Sequence, residues 1–205
     1  MPPYPEEQLV PFPSTLSDQP EVTHCRGTLL VASRRTLRDH GHFERYRTLL
    51  AEEHETTFAS HAAAGWIPIE AGVAHYRACD ALDVPVDEQL VMGAAVVHSL
   101  QRTFLGTVLR AAGRGMGITP LFGMQKFFTI YGRSFRGGGG RLVRTGPKEL
   151  RVEFVGNPVA AIRYFRIAYR GFIAAGCETF ATRVVTAELD SYLSPTSMAY
   201  RIAWA

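Results

Sequence analysis

Lysine is almost missing from this chain. Of its 22 basic residues only Lys126 and Lys148 are lysine, so its cationic surface is made of planar, permanently charged guanidinium forks. Cysteine is scarce as well. Cys25, Cys79 and Cys177 are odd in number and far apart, which excludes a disulfide framework and fits a reducing compartment. No run of about 18 apolar residues exists to span a bilayer, and the first 20 residues hold acids and prolines where a secretory leader has a basic end and an apolar stretch. The expected location is the cytoplasm, with no transmembrane segment.

Carboxylates are absent from one whole section. Residues 89–148 hold nine basic residues and no acid, whereas residues 1–88 hold fourteen acids against seven basic residues. Residues 149–205 are nearly balanced, so the net charge of +3 conceals the division. The acid-free section places a positive field on part of the surface unless the first section neutralises it, and the expected partners are a protein partner or a second copy through that basic surface. Arg133, Arg136, Arg141 and Arg144 alternate with Tyr131 and Phe135, a pattern that suits phosphates and bases. No helix-turn-helix, zinc-finger or oligonucleotide-binding signature accompanies it, so nucleic acid is not the expected partner.

What is present is enough for one core: 205 residues, 46% of them apolar, fold without a metal or disulfide staple. Six of the twelve prolines fall within the first 20 residues, so residues 1–23 read as a proline-rich extended tail and residues 24–205 as a single α+β domain. The helical part covers residues 24–136. Ser33 reads as the cap of a short turn over 34–39 and residues 43–64 as one helix. Pro68 reads as the first turn of the next, with Val73, Tyr76, Cys79 and Leu82 on one face. Asp87 opens a helix through 90–112, and Thr119-Pro120 starts another through 121–135.

From Arg141 the period changes to two. Leu150, Val152 and Phe154 share one face while Glu149, Arg151 and Glu153 share the other, and Thr145-Gly-Pro-Lys148 turns the chain back onto residues 141–144. Asn157-Pro158 opens a helix that Gly176 closes. Strands around Val185 to Leu189 and Tyr200 to Trp204 follow. The expectation is a helical N-terminal part followed by a β-β-α-β-β antiparallel sheet of about four strands covered by helices.

No catalytic set emerges. The histidines have no zinc-ligand spacing, and the glycines at 113–117 and 137–140 neither follow a strand nor precede a Gly-Lys-Ser/Thr. Cys177 has no histidine near it in sequence and reads as a small buried apolar residue. The remaining candidate is an apolar pocket lined by Phe104, Val108, Phe127, Phe128 and Tyr131 with Arg133 and Arg136 at its mouth, suited to a small amphipathic anion such as a fatty acid.

Arg26-Gly-Thr-Leu-Leu, Trp66-Ile-Pro68, the glycine-punctuated basic stretch, Cys177-Glu178 and the closing strand ending in Trp204 occur in an order that resembles an uncharacterised family of about two hundred residues multiplied in myxobacteria. That family is similar in layout to the vinyl-reductase-type ligand-binding domains and to the heme-based nitric oxide and oxygen sensors. The resemblance implies a helical front and a terminal antiparallel sheet around an internal pocket. In the heme sensors a histidine on the helix before the sheet binds iron and a Tyr-x-Ser-x-Arg motif holds the propionates. Here that helix reads Phe127-Phe-Thr-Ile-Tyr131 without histidine, and Tyr131, Ser134 and Arg136 resemble the motif with the tyrosine displaced by one residue. The expectation is therefore no cofactor, heme included. The function expected is a non-catalytic sensory or regulatory domain binding a small amphipathic ligand, or else a protein-interaction or assembly module without an internal ligand.

Overall fold

A computed structural model describes residues 7–11, 20–60, 64–100 and 120–205 of the chain. In order, they form β1 (Gln8–Leu9), β2 (His24–Arg26), α1 (Gly27–Asp39), α2 (Phe43–Leu49), α3 (Glu52–Ser60), β3 (Trp66–Pro68), α4 (Ile69–Asp80) and α5 (Val86–Leu100). After the undescribed residues come α6 (Pro120–Ser134), β4 (Phe135–Arg136), β5 (Gly139–Gly146), β6 (Glu149–Val155), α7 (Arg163–Glu178), β7 (Val184–Glu188) and β8 (Met198–Trp204). This is the expected α+β class. No described helix is long and apolar enough to cross a membrane.

The alternation in the last third becomes a five-stranded antiparallel sheet in the order β1-β5-β6-β8-β7. Leu142, Leu150, Val152, Phe154, Tyr200 and Ile202 are wholly buried on its inner face. The outer face is polar and tied: Arg151 reaches Glu153 at 2.7 Å and Glu7 at 2.5 and 2.9 Å. The fifth strand comes from the proline-rich segment, where Gln8 and Leu9 pair with Arg144 and Val143 and the Val10 N–H donates to the Leu142 carbonyl at 2.8 Å. A second, three-stranded sheet, β3-β2-β4, buries Cys25, Ile67 and Phe135.

Three local expectations differ. The first helix begins at Gly27, not Ser33, because β2 runs straight into it and Ser33 lies buried inside it. The 43–64 stretch is two helices, split where Leu50 turns extended (φ −94°, ψ 130°) and sends its side chain into the core. Asn157-Pro158 opens only a 3-10 turn, Pro158–Ala161. Ile162 then extends before α7, which runs through Gly176 to Glu178. The first turn of α7 is held from outside: the Tyr164 N–H donates to Asp80 Oδ1, at the end of α4, at 2.7 Å.

Helix α7 joins the two halves, with the sheet against one side and α5 against the other. At the α5 crossing, backbone meets backbone. A Cβ on Gly93 would lie 1.7 Å from the Ala168 carbonyl oxygen, and one on Gly171 would lie 2.1 Å from that of Leu90. Two glycines, each facing the other helix, set the separation; nothing larger fits. Gly93→Ala should therefore destabilise the fold by about 3 kcal/mol. Gly176 lies on the same α7, but a Cβ there would meet no atom within 4 Å, so Gly176→Ala should be neutral or stabilise by about 0.5–1 kcal/mol. Urea unfolding of the two variants measures both.

Candidate functional site

A cavity of about 30 Å³ lies where α1, α4, α5 and α7 meet. Its walls are mostly carbon, from Leu29, Met92, Val96, Phe165, Tyr169 and Phe172. The α1 hydroxyls that reach it are already engaged. Thr36 Oγ1 donates to the Ala32 carbonyl at 3.1 Å, and Ser33 Oγ lies 2.9 Å from His75 Nε2. The space suits a molecule of about the size of water. It falls an order of magnitude short of the roughly 300–1,000 Å³ of a drug-sized ligand site.

Behind Ser33 stands a polar network inside the helical half. His75 on α4 is wholly buried, with Nδ1 2.8 Å from the Tyr46 hydroxyl and Nε2 facing Ser33. Burial, reinforced by the Arg34 charge, pushes its pKa down to about 3, so the ring is neutral at pH 7. Burial holds the Tyr46 phenol protonated. The two hydroxyls, each able to donate or accept, satisfy both nitrogens of the neutral ring in either tautomer. Arg34 closes this joint from above: it grips Glu55 at 2.5 and 2.8 Å and sits among the rings of Phe43 and Phe58 at 5.4 and 5.1 Å. Its Nε is buried with no hydrogen-bond partner among the described residues.

Of the lining expected from the sequence, Phe104 and Val108 lie outside the described residues. Phe127, Phe128 and Tyr131 come together as one aromatic layer around Phe154 of the sheet, with ring centroids at 6.3, 5.5 and 4.9 Å. Phe127 also meets Tyr169 at 5.9 Å and Phe172 at 5.6 Å, both of which border the cavity. Phe127 thus links this aromatic layer to the residues that border the cavity. Arg133 and Arg136 are exposed, and Arg136 stacks on Trp66 with 4.4 Å from its Cζ to the ring. The set that resembles the propionate motif is split: the Tyr131 hydroxyl is buried and accepts from Asn157 Nδ2 at 3.0 Å, while Arg136 faces solvent.

Other chemistry finds little support in the geometry. The Cys177 thiol is buried, which raises its pKa to about 12 and keeps it protonated. His98 is exposed on α5. Among the described residues no group of three His, Cys, Asp or Glu is placed to hold a metal ion. Sequence reasoning weighed His75 only as one of several histidines without zinc-ligand spacing and missed Arg34, although His75 lies on the buried α4 face with Ala71 and Cys79, four residues away on either side. A histidine in an apolar stripe was the available signal.

No protein-family model and no curated protein matches the chain. Solved structures do. A point mutant of the Fe(II) unliganded H-NOX protein from K. algicida aligns over 88% of this chain and 96% of its own, at 13% identity and a TM-score of 0.61. An H-NOX structure solved to probe heme distortion aligns over 87% and 94%, at 11% identity and 0.55. An oxygen-binding H-NOX domain related to soluble guanylate cyclases, in its oxygen complex, aligns over 87% and 94%, at 12% identity and 0.52. The expected likeness in layout to the heme-based gas sensors therefore holds at the level of fold. The same neighbours correct one expectation. A chain without a cofactor was expected, yet the fold it shares is that of H-NOX proteins described by their Fe(II) state and their heme, so that expectation is withdrawn. The helix-junction cavity does not form a seat for heme. The cavity is far too small for a porphyrin, and His75 has both nitrogens engaged.

The His75 network predicts a pH dependence of fixed sign. Its pKa is near 6.5 in the unfolded chain and about 3 in the folded one. Between these values the unfolded state binds the extra proton, so stability falls as pH drops. From about pH 6 to pH 5 the loss should approach 1.4 kcal/mol per pH unit. In His75→Leu that slope should shrink, at the cost of about 2 kcal/mol at pH 7 from stranding Tyr46 and Ser33. Chemical denaturation at a series of pH values tests both.

Proposed function

We propose that this chain is a non-catalytic sensory domain that takes a small ligand in its helical half and reports it through α7 to the sheet. The observation that carries the reading is the H-NOX-type scaffold, matched over 88% of this chain and 96% of the K. algicida protein. A residual cavity at the junction of four helices adds to it. Heme is the cofactor class the reading adopts, as a group for the whole chain to take up; no described residue is assigned as its ligand.

The path from the cavity outward is continuous. Tyr169 and Phe172 border the cavity, Phe127 touches both, and Phe127, Phe128 and Tyr131 converge on Phe154. These three residues enter the proposal as the route by which a change at α7 reaches β6. Phe104 and Val108 stay in it as lining, and Arg133 and Arg136 as surface cations. An amphipathic anion such as a fatty acid, the finer ligand suggested by the sequence, draws no support from a cavity of about 30 Å³. The second reading, an interaction module with a solid interior, draws on the filled aromatic layer.

Hemin titrated into the full chain should give Soret absorption that saturates near about one equivalent, with a rise in melting temperature as for any ligand bound only by the folded state. Saturable uptake supports the sensory reading. A chain that shows neither saturable absorption nor a melting shift, with hemin or with a panel of small gases and acids, overturns it.

A further inference from the structure

The three-stranded sheet buries one face and turns the other to solvent. In its register Arg26 lies opposite Trp66, and His24 opposite Arg136 and Pro68. His24, Arg26, Trp66 and Arg136 therefore share the outer face, since alternate residues of a strand point the same way. The indole collects two cations: Arg26 Cζ lies 4.0 Å and Arg136 Cζ 4.4 Å from its ring centroid. Arg26 is locked there, donating from Nε to the Arg133 carbonyl at 3.2 Å and from Nη1 to the Ala64 carbonyl at 2.6 Å.

Carboxylate partners are what the two arginines of this face lack. Arg34, Arg151, Arg166 and Arg201 each have one within 4 Å. Among the described residues no ion pair involves Arg26 or Arg136. Two guanidinium groups drawn to one indole repel each other, and an arriving anion relieves that repulsion. The form of the site selects the class of anion. It is the outer face of a sheet rather than a concave chamber, which suits a macromolecule better than an enclosed small molecule, and tryptophan and arginine are the side chains that dominate protein interfaces. Exposed Glu21 and Glu70 flank the end where His24 faces Pro68. They interrupt the continuous cationic track along which a nucleic-acid backbone would run.

We propose that this face docks an acidic segment of a partner protein, with Trp66 as the apolar anchor and Arg26 and Arg136 as forks for its carboxylates. The site is separate from the helical cavity, so its failure leaves the ligand reading untouched. The probe is a fluorescein-labelled peptide of alternating glutamate and leucine, followed by anisotropy with the full chain. Arg136→Glu should weaken binding about tenfold, and Arg136→Gln less, whereas Arg45→Glu, the same charge change on an exposed part of α2, should stay within about twofold. Circular dichroism checks that each variant is folded. No binding of the peptide, or equal losses in Arg136→Glu and Arg45→Glu, overturns the proposal. So does tighter, Arg136-dependent binding of single-stranded DNA of equal charge, which would make the face a nucleic-acid surface. Self-association broken by Arg136→Glu in sedimentation, with the peptide ignored, would make it a contact between copies and likewise overturns it.

Discussion

The crossing of α5 and α7 sets the distance between the two halves of the molecule. Gly93 meets the Ala168 backbone and Gly171 meets the Leu90 backbone, one contact on each helix. Because the two contacts are reciprocal and lie three residues apart along each helix, they fix rotation as well as distance. Everything on α7 beyond this crossing inherits its position from it. Phe165, Tyr169 and Phe172 project from a backbone that cannot retreat, and the sheet packs on rings whose places are already decided.

This constraint accounts for two features among the described residues: interlocked rings between α6, α7 and the sheet, and a small space at the helix junction. Aromatic rings interlock best edge-to-face or offset, and the rings around Phe154 achieve this at centroid distances of 4.9 to 6.3 Å. At the junction of α1, α4, α5 and α7 the close crossing removes side chains that would otherwise fill it. Gly93 and Ala168 both line the remaining space. The tight contact and the cavity have one origin.

The sheet was legible because its period is unambiguous. Glu149 to Phe154 alternates without a break, and the Thr145-Gly-Pro-Lys148 turn fixes the partner strand. The strand supplied by Gln8 and Leu9 was not, since two residues between prolines show no period and only pairing with β5 defines them. Helix existence was readable and helix ends were not. Nothing local marks Leu50 as extended; its burial decides it. The candidate site was half legible. Phe127, Phe128 and Tyr131 were recognisable as clustered rings, but whether such rings wall a chamber or fill a core depends on what stands opposite, here Phe154, Tyr169 and Phe172.

Asp80 gives this architecture a mechanical property. Its carboxylate, at the far end of α4, supplies the acceptor for the first turn of α7, whose own preceding residue Ile162 provides no side-chain cap. A shift of α7 by one residue along its axis, about 1.5 Å, would cost it this 2.7 Å bond. The C-terminal end of α4 and the head of α7 are therefore joined by a polar contact as well as by the packing of Tyr76 on Phe165.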